Sequence, residues 1–134
     1  MANIEEIEGI GSVYGQKLAE AGINTSEALL EKGATAAGRK ALSESTGISD
    51  TLLLRWVNHA DLFRVSGIGP QYAELLEAAG VDSVPELAQR VAGNLHPRLV
   101  EIHQQKKLTG RTPALSQVEG WIDQAKQQPR VVTH

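Results

Sequence analysis

The 134-residue sequence contains no cysteine and only five aromatic residues. The absence of cysteine excludes disulfides, thiol nucleophiles and the thiolate ligands of zinc knuckles and iron–sulfur clusters. So few aromatics imply an aliphatic core, which suits packed helices. No apolar run approaches the roughly 18 residues of a membrane span, and the acidic N-terminus lacks the positive charge of a signal peptide. These absences predict a cytoplasmic protein without a membrane partner.

The net charge is −3, from 13 basic and 16 acidic side chains. A dedicated nucleic-acid-binding domain is usually strongly basic, so this balance disfavours a globally basic binder.

An internal repeat is the strongest feature of the sequence. Residues 7–34 match residues 65–92 at an offset of 58, with eight identical positions. The identical pairs are Gly9/Gly67, Ile10/Ile68, Gly11/Gly69, Tyr14/Tyr72, Leu18/Leu76, Ala21/Ala79, Gly22/Gly80 and Leu29/Leu87. Farther on, Trp56 matches Trp121 at an offset of 65. One structural unit is therefore used twice.

Every segment of this unit has apolar residues at helical spacing, and none shows the sustained alternation of a strand. Gly22 and Gly80 each follow such a stripe and are predicted to end a helix. Pro70 and Pro97 are predicted to occupy the first turns of helices. The sequence thus predicts an all-α chain of about ten short helices.

The motif Gly9-Ile10-Gly11 lies between two predicted helices and recurs as Gly67-Ile68-Gly69. Its first glycine can take a positive φ and stop a helix, and the isoleucine is predicted to be buried beneath the turn. The second glycine has no Cβ, so a ligand can approach the backbone there. The N-terminus of the next helix then offers free N–H groups to an anion such as phosphate.

Both repeats resemble the helix-hairpin-helix family of sequence-independent DNA binders. The segments GIGSVYGQKLAEAGINTSEALLEKGA and GIGPQYAELLEAAGVDSVPELAQ are similar to the small N-terminal domains of archaeal and eukaryotic recombinases. In those domains a second, degenerate hairpin follows the first. Residues 46–49 (TGIS) and 109–112 (TGRT) match the position of that second hairpin.

Over nearly its full length the chain is similar to the family called domain of unknown function 4332. This resemblance includes the segments GRKALSESTGIS, LRWVNHADL and QVEGWIDQAK. The family is described as tandem helix-hairpin-helix, so the resemblance implies two paired-hairpin units related by a pseudo-twofold axis. We expect these units at residues 1–64 and 65–127, packed as one compact domain because about 60 residues alone are marginal. Residues 128–134 lack periodicity and are predicted to fray.

The predicted hairpins are acidic and the connecting helices are basic. Residues 1–35 carry a net charge of −4 and residues 65–93 carry −3, whereas residues 36–64 and 94–134 carry +1 and +3. The helix after the first motif offers Lys17, but the helix after the second offers Glu74 and Glu77. Because phosphate contacts dominate non-specific affinity, Gly67, Ile68 and Gly69 are predicted to be structural.

The sequence therefore predicts a non-catalytic module that binds the nucleic-acid backbone weakly and without sequence preference. The alternative is a protein-interaction scaffold that has lost phosphate binding. Fold analogy favours the first hypothesis, and the acidic hairpins favour the second. The candidate binding residues are Gly9, Ile10, Gly11, Tyr14, Lys17, Arg39, Lys40 and Arg111.

Two aromatic pairs recur in the repeat. Tyr14 and Tyr72 can contact a phosphate or stack on a base, or they can be the first apolar anchors of their helices. Trp56 and Trp121 lie within apolar stripes and are predicted to be core residues.

No residue set indicates catalysis, a cofactor or a metal. His96 and His103 are seven residues apart, about 10 Å along a helix, which is too far for one metal ion. No combination of serine, histidine and acid suggests a triad, so the chain is not predicted to be an enzyme.

Overall fold

The computed structural model describes residues 3–106 and 111–133. This part of the chain is all-α, with an isolated β-bridge between Asn3 and Thr25 and no strand. The elements are a 3₁₀-helix Ile4–Glu6, α1 Gly11–Glu20, α2 Ser26–Gly33, α3 Ala36–Thr46, α4 Asp50–Leu62, α5 Pro70–Ala78, α6 Val84–Ala88, α7 Ala92–Lys106 and α8 Leu115–Gln127. The all-α prediction is confirmed, but the described residues form eight α-helices and one 3₁₀-helix rather than about ten helices.

The chain divides into two compact units. Unit 1 comprises Met1–Asp61 together with Val131–His134, and unit 2 comprises Leu62–Arg130. Unit 1 contains the 3₁₀-helix, α1, α2, α3 and nearly all of α4, and unit 2 contains α5 to α8. Of the second hairpin expected in unit 2, Thr109 and Gly110 lie outside the described residues.

Helices α1 and α5 end in the same way, as their glycines predict. After α1, the amide of Ile23 donates to the carbonyl of Leu18 at 2.8 Å. After α5, the amide of Val81 donates to the carbonyl of Leu76 at 2.8 Å. This bond, from the second residue past the cap to the last turn, is typical of a Schellman motif. The predicted helix ends at Gly22 and Gly80 are therefore confirmed.

Side-chain caps begin α2, α3 and α6. The hydroxyls of Thr25, Thr35 and Ser83 accept from backbone amides in the first turns of these helices. Pro70 is the first residue of α5, as predicted. The prediction for Pro97 is wrong, because Pro97 lies inside α7, which already begins at Ala92.

Each unit is built around one of the repeated tryptophans. Trp56 on α4 has no exposed surface, and Trp121 on α8 is 3% exposed. In unit 2, α8 packs against α6 and α7, and Trp121 belongs to a core cluster with Leu76, Leu87 and Leu99. The predicted core positions of both tryptophans are confirmed.

The last described residues, 131–133, are part of unit 1. The amide of Thr133 donates to the carbonyl of Ala34 at 2.8 Å, and Val132 is buried. The guanidinium of Arg39 donates to the carbonyl of Thr133. The sequence predicts a frayed tail, but residues 131–133 are held here by a backbone hydrogen bond, by the Arg39 side chain and by the burial of Val132.

Candidate functional site

The first turn, residues 9–11, leads into α1. Gly9 has φ +92° and Gly11 has φ +61°, values that favour glycine at both positions. Ile10 between them is 2% exposed, and its amide donates to the carbonyl of Ile7 at 3.2 Å. The burial predicted for Ile10 is confirmed. Its side chain therefore cannot contact a ligand, and only its backbone lies at the turn.

The N-terminus of α1 is open. No side chain caps it, unlike the N-termini of α2 and α3. A Cβ built on Gly11 would have no atom within 4 Å, so the space beside this residue is empty. The first amides of a helix have no partner within the helix, and its dipole places partial positive charge at this end. This arrangement favours an anion at the turn.

Helix α4 brings two nitrogen donors to Gly9. A Cβ built on Gly9 would lie 3.4 Å from Nε1 of Trp56 and 3.6 Å from Nη1 of Arg55. Trp56 is fully buried, and its Nε1 has no hydrogen-bond partner among the described residues. Arg55 is half-buried and places a permanent positive charge beside the turn.

Arg55 is absent from the residues that the sequence indicated. The sequence feature that could have identified Arg55 is its position directly before a repeated tryptophan. The second copy has Gly120 at that position. Helical spacing alone does not show that this position reaches Gly9.

The second turn, residues 67–69, differs in its chemistry. Gly67 repeats the positive φ at +91°, but Gly69 is extended with φ −102°. Pro70 follows and has no N–H to offer, so the N-terminus of α5 has one donor fewer. Among the described residues, a Cβ built on Gly67 would meet Trp121 but no cationic side chain within 4 Å, so nothing stands in for Arg55 there.

Each turn is followed by a tyrosine packed on the tryptophan of its unit. The ring centres of Tyr14 and Tyr72 lie 5.2 Å from those of Trp56 and Trp121, with interplanar angles of 58° and 56°. The Tyr72 hydroxyl donates to the carbonyl of Arg111 at 3.3 Å. These contacts favour the apolar-anchor interpretation of both tyrosines over a contact with a base.

The predicted cations have different environments. Arg39 is 5% exposed, and its guanidinium donates to the carbonyls of Gly33 at 2.8 Å and Ala34 at 3.1 Å, and to that of Thr133. Its buried hydrogen bonds make Arg39 a structural residue and remove it from the candidate interface. Lys17 and Lys40 are exposed on unit 1, and Arg111 is exposed on unit 2.

The sequence profile of one family, Domain of unknown function (DUF4332), matches residues 8–128. The chain belongs to this family. The matched part of the DUF4332 chain includes both turns and both repeated tryptophans. No curated protein and no solved structure matches the chain.

The described part of the DUF4332 chain has neither a cluster of metal-ligating side chains nor a membrane-spanning helix. Residues 3–106 and 111–133 contain no group of three or more histidines or acids placed to hold a metal ion. No helix among these residues combines the length and hydropathy needed to cross a bilayer.

Proposed function

We propose that the chain is a tandem helix-hairpin-helix module without catalytic activity. It binds the phosphate backbone of nucleic acid weakly and without sequence preference, through the first turn. The observation that carries this proposal is the position of Arg55, whose Nη1 would lie 3.6 Å from a Cβ on Gly9, beside the uncapped N-terminus of α1.

Matching local geometry supports the tandem-hairpin part of the proposal. The amide of Ile7 donates to the carbonyl of Ile4 at 3.3 Å, as that of Val65 donates to Leu62 at 3.0 Å. The next bond in each turn is also repeated, and both tyrosine–tryptophan pairs have the same centre-to-centre distance. Two segments with the same bonds, the same conformation at the first glycine and the same aromatic pair are what a duplicated hairpin requires.

Phosphate recognition fits the groups at the first turn. Backbone amides at a helix N-terminus bind phosphate oxygens, and arginine adds charge-assisted hydrogen bonds to them. These contacts involve no base edge, so they carry no sequence information. Because few cations contribute and the net charge is −3, affinity is expected at the weak end of the non-specific range of about 10⁻⁴–10⁻⁶ M.

The direct test is a titration of the protein against labelled single- and double-stranded DNA and RNA at two salt concentrations. Gly11→Leu should abolish binding, because its side chain occupies the open space beside the turn. Gly69→Leu is the matched control, since Gly69 is extended and also has no atom within 4 Å of a built Cβ. Circular dichroism checks the fold of both variants.

Gly11→Asn separates blocking from misfolding, because asparagine tolerates a positive φ better than leucine does. It should weaken binding in a protein with the parental melting temperature. Parental affinity in both Gly11 variants would contradict the proposed site. No binding of any nucleic acid at low salt would contradict the proposed function.

The alternative function, a protein-interaction scaffold, is favoured by the second turn. There the helix after the turn begins with Pro70 and continues with Glu74 and Glu77, a sequence that repels phosphate. If titrations at low salt detect no binding of nucleic acid, this alternative replaces the proposal for both turns.

A further inference from the structure

Unit 1 contains a second feature suited to a ligand, a cleft of about 720 Å³ beside α1 and α3. Its wall includes Lys17, Glu20, Lys32, Leu42 and Ser45. Pockets that bind small organic ligands typically have volumes of roughly 300–1,000 Å³. The cleft is therefore large enough for a group the size of one nucleotide.

The cations of this cleft are not neutralised by carboxylates. Nζ of Lys32 donates to the carbonyl of Ala21 at 3.2 Å, and Nζ of Lys17 lies 6.0 Å from the centre of the Tyr14 ring. Within the described residues neither ammonium forms a salt bridge. Among the described residues that line the cleft, the charged side chains are Lys17, Lys32 and Glu20, so this lining carries a net positive charge.

Unit 2 provides an internal comparison. A cleft of about 440 Å³ is lined there by Arg90, which matches Lys32 at the offset of 58, and by Arg98. Both arginines are paired, Arg90 with Glu86 at 2.9 Å and Arg98 with Glu101 at 3.2 Å. The arginines of the unit 2 cleft are therefore already neutralised by carboxylates. The unit 1 cleft is the larger of the two, and its lysines form no such ion pairs with the described residues.

The uncharged part of the unit 1 cleft suits a nucleobase. Exposed Ala41 and the small accessible edge of Leu42, which is 7% exposed, give it an apolar wall against which a flat ring can pack. The hydroxyl of Ser45 donates to the carbonyl of Leu42 at 3.2 Å, so its lone pairs remain available as acceptors. An exocyclic amino group, as in adenine or cytosine, is the matching donor.

The cleft and the first turn lie along the same helix. Lys17 is six residues after Gly11, which is about 9 Å at 1.5 Å per residue. A nucleic-acid strand rises about 3.4 Å per nucleotide in a duplex, so about three nucleotides cover this distance. One strand can therefore place a phosphate at the turn and another nucleotide at the cleft.

We infer that this cleft takes one unpaired nucleotide, with its phosphate on Lys17 and Lys32 and its base against Ala41 and the edge of Leu42. This inference rests on the proposed function and narrows its substrate class to single-stranded nucleic acid. A base can enter the cleft only when it is unstacked and unpaired, which a duplex does not offer without the cost of base flipping.

The test compares a labelled 12-nucleotide oligo(dA) with its duplex, using the intact chain. The parental protein should bind the single strand at least about fivefold more tightly, as expected for one accommodated base. Ala41→Phe, which fills the cleft from an exposed position, should lower single-strand affinity to the duplex value. It should leave duplex affinity unchanged. Ala36→Phe is the control, because Ala36 is exposed on the same helix and does not line the cleft.

A second pair of variants tests the phosphate contacts. Lys17→Gln should reduce single-strand affinity more than Lys40→Gln, because Lys40 is exposed but does not line the cleft. A titration with adenosine monophosphate tests whether the cleft binds a free nucleotide rather than a nucleotide within a strand. If it saturates the parental cleft while Ala41→Phe leaves oligonucleotide binding unchanged, the strand assignment is overturned.

Duplex binding equal to single-strand binding, unaffected by Ala41→Phe, would overturn this inference and leave the proposed function intact. Absence of all nucleic-acid binding would overturn both.

Discussion

The two Gly-Ile-Gly turns agree at their first glycine and differ at their second. Gly9 and Gly67 have φ near +90°, whereas Gly11 has φ +61° and Gly69 has φ −102°. The following residue explains the difference. Proline disfavours helical conformations in the residue before it, so Pro70 holds Gly69 extended. The residue after Gly11 is a serine, which imposes no such restriction.

The support beneath the turns is the same, whereas the charge beside them is not. Both first glycines face the indole nitrogen of a buried tryptophan. Arg55 precedes one tryptophan and Gly120 precedes the other. The packing of a hairpin and its capacity to bind anions are therefore separable, because different residues determine them.

Replacing either tryptophan should have the largest effect on stability. The loss should be similar for the tryptophan of unit 1 and for that of unit 2. We expect Trp56→Ala and Trp121→Ala each to lower the free energy of unfolding by about 3–5 kcal/mol, because each leaves a large cavity. Chemical denaturation measures both values. A Trp56→Ala protein that melts within a few degrees of the parent would show that the first turn does not depend on its tryptophan.

Arg39 distinguishes the units more sharply, because Pro97 takes its position in the second copy. Arg39→Ala should lower the free energy of unfolding by about 2–3 kcal/mol, since the buried carbonyl of Gly33 then loses the donor that Arg39 supplies. Pro97→Ala should not lower stability, because it restores an N–H inside α7. Thermal melts of the two variants give the comparison. Equal losses would mean that Arg39 contributes no more than an ordinary surface residue.

The first glycines should differ in their tolerance of a side chain. Alanine at either position costs at least about 1 kcal/mol, because φ near +90° strains any L-residue. Gly67→Ala should cost more than Gly9→Ala, since the added Cβ would lie 3.0 Å rather than 3.4 Å from the indole nitrogen. Denaturation midpoints of the two variants test this order, and the reverse order would contradict it.

The smallest expected effect is a change in the salt dependence of DNA binding. If about three phosphates are contacted, the log–log salt slope on duplex DNA should be near −3. Arg55→Ala should reduce its magnitude by about 0.9, the contribution of one phosphate. Arg98→Ala on unit 2 is the control and should leave the slope unchanged. An unchanged slope in Arg55→Ala would remove Arg55 from the interface.

The sequence predicted those features that depend on neighbouring residues or on the repeat itself. Local patterns predict the helix ends at Gly22 and Gly80 and the burial of Ile10. The apolar stripes around the two tryptophans predict that both are buried. Arg39 and Arg55 could not be assigned in this way. Both are cations in helices, and whether such a side chain is buried on carbonyls or placed beside a turn depends on residues distant in sequence.

The prediction for Pro97 is wrong for a related reason. Proline is favoured in the first turn of a helix, but packing can override this local preference. Leu95, Leu99 and Ile102 of α7 are all buried, so their packing stabilises a helix that continues through the proline.

The segment Val131–His134 makes unit 1 discontinuous in sequence, whereas unit 2 is one continuous stretch, Leu62–Arg130. The order in which the two units begin to be synthesised therefore differs from the order in which their sequences are complete. A growing chain contains all of unit 2 once residue 130 has been added. Unit 1, although begun first, still lacks the Thr133 backbone that pairs with Ala34 and Arg39. During translation the N-terminal unit is thus the last to acquire its full set of contacts.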